Sequence, residues 1–219
     1  MPDDRAPVAP AAPDVPGELE AADVSSLVDT DLDGVLIDGV ALAGANASGV
    51  MIGESRIADT DLEGANLTRS TVHDVLFTRG SLANARLEDA QIRRTRFEGV
   101  RATGLNVTRA TLDDVVFARC RLDLALFRAA KLSRIRFEDC RLSEADLFEV
   151  RGSSVVFEDC DLRTVSWADA SFSRTELRGC DLTGGSSLER LKGVRMPWND
   201  VLRSAAAIAI AAGIEIVEE

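Results

Sequence analysis

The sequence predicts an all-β solenoid, in which the backbone turns a corner every five residues around a packed interior. Three observations predict this fold class: an apolar period of five, a longer period of 20, and small or turn-forming residues at fixed positions between the apolar ones. A period of five matches neither an α-helix, with 3.6 residues per turn, nor the two-residue alternation of an isolated strand. It fits a chain that bends at regular intervals.

The five-residue period runs without interruption from Leu32 to Leu182. Of its 31 positions, 30 are apolar, the exception is Gly152, and seven of the eight Phe lie among them. Two residues before each position lies a second series of small or β-branched residues. Its one large member is Leu105, and Ala102 in the first series is correspondingly small. Close packing requires such volume compensation, so we predict that both series point inward.

The longer period predicts that residues 20 apart stack on one another. It is carried by two columns: Phe77, Phe97, Phe117, Phe137 and Phe157, and Cys120, Cys140, Cys160 and Cys180. Four pentapeptides therefore form one coil. Parallel strands lie about 4.8 Å apart, so the roughly 7.5 coils form a rod on the order of 36 Å long. Many residues two positions after a member of the apolar series are Gly, Asp or Asn, which suit tight corners.

Three segments match a known repeat unit. ANLTR at 65–69, ADLFE at 145–149 and CDLTG at 180–184 resemble the A(D/N)LXX unit of the pentapeptide repeat family. The resemblance implies a right-handed, quadrilateral (four-sided) parallel β-helix.

The C-terminal segment from Pro197 predicts an α-helical cap. Pro197 suits a helix start, Asn199 or Asp200 an N-cap, and Gly213 a C-terminal stop, after which 214–217 alternates like a short edge strand. An open β-helix exposes strand edges at its end. We expect the helix to lie over the last coil, to pack against a second copy, or to do both.

This C-terminal pattern resembles the terminal module of actinobacterial quinolone-resistance pentapeptide proteins. That resemblance implies a protein that imitates B-DNA in shape and charge, forms a homodimer through the module and binds DNA gyrase. The residues expected to form the cap or the dimer interface are Trp198, Val201, Leu202, Ile208, Ile210, Ile214 and Ile216.

We predict three regions: a disordered acidic Pro/Ala-rich tail over 1–20, the β-helix over 21–182, and the cap and dimerisation module over 183–219. The net charge of −12 divides into −6 over 1–30, −5 over 31–182 and −1 over 183–219. Duplex DNA of the rod's length carries about −21, at one charge per about 1.7 Å. Any imitation of DNA is therefore local, strongest on the acidic N-terminal half or at a dimer seam.

The sequence predicts no enzyme, with no catalytic residue, no cofactor site and no metal site. No phosphate-binding loop, HExxH or CxxC occurs, and the one histidine, His73, lies at an outward position without a nucleophile in register. The cysteines point in parallel, whereas metal ligands converge. They are interpreted as buried small residues in a reducing cytosol.

Outward positions carry the candidate interaction surfaces. Arg101, Arg121 and Arg141 form a column of like charges, for which two interpretations stay open: an interaction site, or a solvated face neutralised by Glu98, Glu138, Asp139 and their neighbours. A second candidate is acidic and comprises Asp59, Asp61 and Glu63. A third is a strip of alternating apolar and Arg residues: Leu36, Arg56, Leu76, Arg96, Val116, Arg136 and Val156.

Two functions follow as hypotheses. The first is a DNA-mimic-like modulator of DNA gyrase, linked to quinolone resistance or to self-protection from a gyrase poison. The alternative is a generic interaction scaffold without a topoisomerase role. Nucleic acid is not expected as a partner, because neither a net basic surface nor an aromatic series is present. No signal peptide or membrane-spanning run is visible, so we expect a cytoplasmic protein without membrane contact.

Overall fold

A computed structural model describes residues 6–22 and 31–217 as a parallel β-helix of about seven coils with a helical C-terminal segment. The strands are β1 Glu20–Ala21, β2 Leu32–Asp33, β3 Val35–Asp38, β4 Met51–Gly53, β5 Arg56–Ala58, β6 Thr71–Thr78, β7 Gln91–Glu98, β8 Thr111–Ala118, β9 Lys131–Glu138, β10 Arg151–Glu158, β11 Ser171–Ser173 and β12 Glu176–Arg178. A 3-10 helix spans Leu188–Leu191, and two α-helices follow, α1 Trp198–Arg203 and α2 Ala205–Ala211.

The strands pair in parallel, and each residue lies beside the residue 20 positions on. Phe77 pairs with Phe97, Phe97 with Phe117, Phe117 with Phe137, and Phe137 with Phe157. Isolated bridges continue the same register on the remaining sides of the coil, for example between Arg121 and Arg141. The predicted fold class and the coil of four pentapeptides are confirmed.

Hydrogen-bonded turns form two sides of each coil. The N–H of Ala65 donates to the carbonyl of Leu62 at 3.0 Å, and the N–H of Ser70 donates to that of Leu67 at 3.2 Å. Such a turn needs a left-handed residue before the donor, which here is Gly64 with φ 66° and Arg69 with φ 59°. A left-handed residue other than glycine costs about 1 kcal/mol or more. The stacking of the coils therefore fixes the corners even where no glycine is present.

The interior is a column of aromatic and aliphatic side chains. Ring centroids of successive Phe residues from Phe97 to Phe157 lie 4.9, 5.1 and 4.8 Å apart, with planes within 8° of parallel. The exception in the apolar series also has a packing reason. A Cβ on Gly152 would lie 2.4 Å from the ring of Phe172 in the next coil, so the glycine makes room for that ring.

The C-terminal cap differs from the predicted single helix followed by a strand. Helices α1 and α2 are separated at Ser204, and residues 214–217 form no strand among the residues described. Ala207 and Ala211 pack against the core of the last coil. Asp200 does not cap its own helix. Its Oδ2 accepts a hydrogen bond from the Gly179 N–H at 2.7 Å, while its Oδ1 pairs with Arg203.

Over residues 6–20 the N-terminal segment also differs from the predicted disordered tail, and residues 1–5 of that prediction lie outside the described residues. Residues 6–19 run along the outside of the coils, and β1 then pairs with β3. The segment is held by two backbone donors: the Ala11 N–H bonds to Asp114 Oδ1 and the Asp14 N–H to Asp74 Oδ1, each at 3.0 Å. Its composition favours disorder in isolation, and the rod supplies the partners. In the described chain, no helix combines the length and apolar character needed to cross a bilayer.

Candidate interaction surfaces

The arginine column is stacked as predicted, and carboxylates other than the expected ones compensate two of its three charges. Arg101, Arg121 and Arg141 are exposed and stacked in successive coils. Arg101 pairs with Glu63, and the Nε of Arg141 lies 3.6 Å from an Asp123 oxygen. Among residues 6–22 and 31–217, Arg121 has no ion-pair partner. The column therefore combines two compensated charges with one that is free to contact a partner.

The carboxylates expected to neutralise this column lie elsewhere. Glu98 and Glu138 pair instead with Arg96, at 2.9 and 3.7 Å. Asp139 has no ion pair among the described residues. The sequence identified the right column of arginines and the wrong partners. The carboxylates that pair with it, Glu63 and Asp123, stand on the same side of the coil, whereas Glu98 and Glu138 lie across a corner.

The three acidic residues predicted as a recognition patch are occupied within the rod. Asp59 binds Arg79 with both oxygens, at 2.6 and 3.0 Å, and this hydrogen bonding lowers the pKa of Asp59. Asp61 Oδ1 accepts the Glu63 N–H at 3.0 Å, and Glu63 pairs with Arg101. Arginines thus compensate two of the three charges, and Asp61 forms no ion pair among the described residues.

A group of uncompensated negative charges lies near the C-terminal end of the rod. Asp139, Glu144, Glu149 and Asp159 are exposed, stand at three of the four corners of adjacent coils, and have no ion pair within the described ranges. We call these four residues the upper acidic corners. Sequence reasoning missed them because a net charge per segment does not show which carboxylates have partners. The sequence feature that marks them is an acidic residue two positions after a residue of the five-residue apolar series.

The apolar and arginine strip is present as predicted, on the face formed by the second halves of β6 to β10. The register places Leu76, Arg96, Val116, Arg136 and Val156 one above another. All are half-buried. Arg96 and Arg136 are bound to glutamates, with Arg136 Nε 2.7 Å from Glu138. The strip is therefore a flat, charge-compensated face.

The cap leaves an apolar surface uncovered. Trp198 is 71% exposed, Leu202 56% and Ile210 65%. Ile214 and Ile216 are exposed as well, Ile208 is partly exposed, and Val201 is half-buried. Ala207 and Ala211 of α2 pack against the last coil, whereas Trp198, Leu202 and Ile210 stay more than half exposed. The residues predicted for the cap or dimer interface are thus exposed except Val201, which is half-buried, and their role in a dimer stays a prediction.

The thiols and the histidine form no reactive group. All four cysteines are buried and free, and the Sγ of Cys140 donates to the carbonyls of Phe117 and Glu138 at 3.3 Å. Hydrogen bonding to neighbouring thiols together with burial raises the pKa of Cys120 and Cys160. His73 Nδ1 lies 3.3 Å from Asp74. The described residues contain no group of three or more His, Cys, Asp or Glu that could hold a metal ion.

The fold and its repeating unit define a solenoid of stacked pentapeptides that presents flat faces and corners to partners. Residues 110–186 match a family model described as a pentapeptide repeat region. No curated protein sequence matches the chain. The match over residues 110–186 confirms the resemblance to the pentapeptide repeat family that the repeat units show.

Solved structures with the same fold include full-length QnrB1, a plasmid-mediated fluoroquinolone resistance protein. The identity is 17%, the TM-score is 0.56, and the match covers 84% of this chain and 92% of QnrB1. A pentapeptide repeat protein from the thylakoid lumen of Arabidopsis thaliana matches with 21% identity and a TM-score of 0.41, over 49% of this chain and 73% of that one. HetL, a pentapeptide repeat protein involved in heterocyst differentiation regulation in the cyanobacterium Nostoc sp. strain PCC 7120, matches with 21% identity and a TM-score of 0.30, over 77% and 90%. At 17% identity, the likeness to QnrB1 shows a shared fold.

Proposed function

We propose that the chain acts by protein–protein interaction, without catalysis, as a homodimer that binds DNA gyrase in place of DNA. In this role it changes the response of gyrase to a quinolone or to another gyrase poison in the cytoplasm. The observation that carries the proposal is the uncovered apolar surface of the cap, which lies close along the chain to the upper acidic corners.

The apolar surface supports a second copy of the chain as its occupant. Trp198, Leu202 and Ile210 are each more than half exposed, on helices whose other side already covers the last coil. Large contiguous apolar surfaces are uncommon on monomers and mark interaction sites. A copy that covers this surface through a two-fold axis would join two rods by their C-terminal ends. The resulting particle would be on the order of 70 Å long.

The charge distribution supports a local imitation of DNA. A dimer joined at the cap would place two sets of Asp139, Glu144, Glu149 and Asp159 on either side of the seam. Each set carries four uncompensated carboxylates. A duplex carries one phosphate charge per about 1.7 Å, and most of the rod falls far short of that density because its carboxylates are paired with arginines. We therefore assign the DNA-like surface to the seam.

The likeness to QnrB1 also favours gyrase over other partners. QnrB1 is described as a fluoroquinolone resistance protein, which agrees with the gyrase-binding quinolone-resistance proteins that the C-terminal pattern resembles. Purified chain is expected to reduce gyrase supercoiling at micromolar concentration and to protect the enzyme from a fluoroquinolone. A chain that does neither would contradict the gyrase role. The variant Leu202→Asp is expected to lose the effect with the dimer, whereas Leu124→Asp, at an exposed residue on the rod, is expected to keep it.

The alternative function, a scaffold for another protein, is favoured by one observation. Arg121 is exposed between two arginines and has no ion-pair partner in the described chain. An acidic segment of a partner would supply the missing charge. In a pull-down, the double variant R121E/R141E is expected to lose this partner. The control R109E, at a residue paired with Asp89 at 2.8 Å, is expected to keep it. Partners unchanged by R121E/R141E would argue against the scaffold.

A further inference from the structure

The N-terminal segment crosses the coils in register with one corner of the rod. Ala11 donates its N–H to Asp114, and Asp14 donates its N–H to Asp74. Asp74 and Asp114 occupy the same corner two coils apart, inside β6 and β8, and both have left-handed backbones. The three-residue step from Ala11 to Asp14 thus spans two coils of the rod, which are 40 residues of chain. We call residues 7–16 the strap.

The proline spacing of the strap explains this match. Prolines stand at 7, 10, 13 and 16, every third residue, and Pro7, Pro10 and Pro13 are half-buried. Proline fixes φ and restricts the residue before it, so the spacing favours a polyproline II helix, with three residues per turn and a rise of about 3.1 Å. One turn is about 9.3 Å long, and two coils of the rod are about 9.6 Å. Each turn therefore brings one N–H to the same corner of every second coil.

The corner presents its acceptors on a rigid support. Arg94 binds Asp74 with Nε and Nη2, and Arg134 does the same to Asp114, with Nε 2.6 Å from Oδ1. Asp74 is 4% exposed and Asp114 9%. Hydrogen bonding from the arginines, with a smaller contribution from the strap N–H groups, lowers the pKa of both carboxyls. The carboxylates are thus charged and oriented, which strengthens the bonds they accept.

The same corner recurs two coils further along the rod, at a residue whose side chain accepts no hydrogen bond from the strap. Ser154 lies two coils above Asp114 and also has a left-handed backbone. Arg174 lies in the coil above Ser154, at the position that Arg94 and Arg134 hold relative to the two aspartates. The Ser154 hydroxyl is buried and has no hydrogen-bond partner among the described residues. The register places Val8 of the strap at this level.

We propose that this corner is a recognition site for proline-rich segments in the polyproline II conformation, with one carboxylate acceptor for every third N–H. In this chain the strap occupies it in cis. The partner that the site fits is an extended peptide with a proline at every third residue and a free N–H directly after each proline. Such a peptide would compete with the strap, and its binding would release residues 7–16.

The test in the full chain uses two substitutions that both add a proline to the strap. Ala11→Pro removes the N–H that donates to Asp114, whereas Ala12→Pro removes an N–H that makes no hydrogen bond within the described chain and fits the same extended conformation. We expect amide hydrogen exchange at Ala11 and Asp14 of the unaltered chain to be slowed at least tenfold relative to an unstructured peptide. Ala11→Pro is expected to remove the protection at Asp14, and Ala12→Pro to retain it. Unprotected amides at Ala11 and Asp14, or equal effects of the two variants, would overturn the proposal.

A second test measures binding in trans. The host is the full chain with A11P and D14P, whose strap lacks both donors, and the probe is a fluorescent peptide of residues 6–18. Saturable binding to the host but not to the unaltered chain is expected, with about tenfold weaker binding when the peptide itself carries A11P. Equal affinities of the two peptides would overturn the role of the carboxylates. Ser154→Asp is expected to add protection at Val8, and unchanged exchange there would contradict the two-coil register.

Discussion

The carboxylate of Asp200 accepts a hydrogen bond from the backbone N–H of Gly179 at 2.7 Å, and so takes the place of a carbonyl from a further coil. One coil below, the equivalent donor is the N–H of Asp159, which bonds to the carbonyl of Arg178 at 2.8 Å. The cap therefore ends the β-helix by satisfying an open strand edge with a side chain. An edge left unpaired invites association with other chains.

Replacing Asp200 by Ala is expected to lower the free energy of unfolding by about 1–3 kcal/mol. The substitution leaves the Gly179 N–H without an acceptor and removes the ion pair with Arg203. Urea denaturation measures the difference. Asn199→Ala, at the exposed neighbouring residue, is the control and is expected to change stability by less than about 0.5 kcal/mol. Equal losses in the two variants would show that the carboxylate does not hold the cap.

The Phe column is expected to dominate the stability of the rod. Phe137 is buried between two parallel rings, so Phe137→Ala is expected to cost about 3–5 kcal/mol. Phe148 lies outside the column, is half-buried and has Arg128 5.1 Å from its ring. Phe148→Ala is therefore expected to cost about 1 kcal/mol. Chemical denaturation compares the two, and a smaller loss at Phe137 than at Phe148 would contradict the stacked core.

The fold was predictable from the sequence because its determinants repeat. Side-chain volume at Phe117 or Phe137 is constrained by the same neighbours in every coil, so the period of 20 appears directly in the residues. Corners such as Arg69 do not need glycine, since stacking imposes their left-handed backbone. The helix break at Ser204 and the contact of Asp200 with the last coil were not predictable in the same way, because each occurs once and no repeat marks it.

The candidate surfaces were predictable only in part. The position of Arg121 follows from the register, and the structure stacks it between Arg101 and Arg141 as expected. Ion pairing does not follow from it, since Glu63 reaches Arg101 across 38 residues of chain. The strap was missed for a related reason. Its composition lacks an apolar core, and its partners, Asp74 and Asp114, lie far away in the sequence.

The dimer is expected to depend on the uncovered face of the cap. Leu202→Asp together with Ile210→Asp places two charges on that face and is expected to give a monomer by light scattering, while the unaltered chain gives a dimer. Leu124→Asp introduces a charge at a comparably exposed leucine on the rod and is expected to leave the dimer intact. A monomer of the unaltered chain at high concentration would refute the homodimer.

Acid is expected to weaken the corner that holds the strap. Hydrogen bonding from Arg94, and also from the Asp14 N–H and His73, lowers the pKa of Asp74 from 3.8 to about 2. A depressed carboxyl pKa contributes stability that is present above the unfolded value near 4 and is lost as the pH falls through about 2. Titration of the Asp74 carboxyl by NMR is expected to show a midpoint near 2. In urea denaturation, Asp74→Asn should be closer in stability to the unaltered chain at pH 2 than at pH 4. A midpoint near 4 would contradict the geometry.

The measurement that tests the proposed function most directly is competition between the purified chain and a linear DNA duplex for gyrase. The account predicts mutually exclusive binding, weakened at least tenfold when the upper acidic corners are neutralised together as D139N, E144Q, E149Q and D159N. Asp38 and Glu54 on the N-terminal coils are exposed as well and have no ion pair in the described chain. The control variant D38N/E54Q is therefore expected to have little effect on binding. Simultaneous binding of the chain and DNA to gyrase, or no binding of the chain at all, would contradict the account.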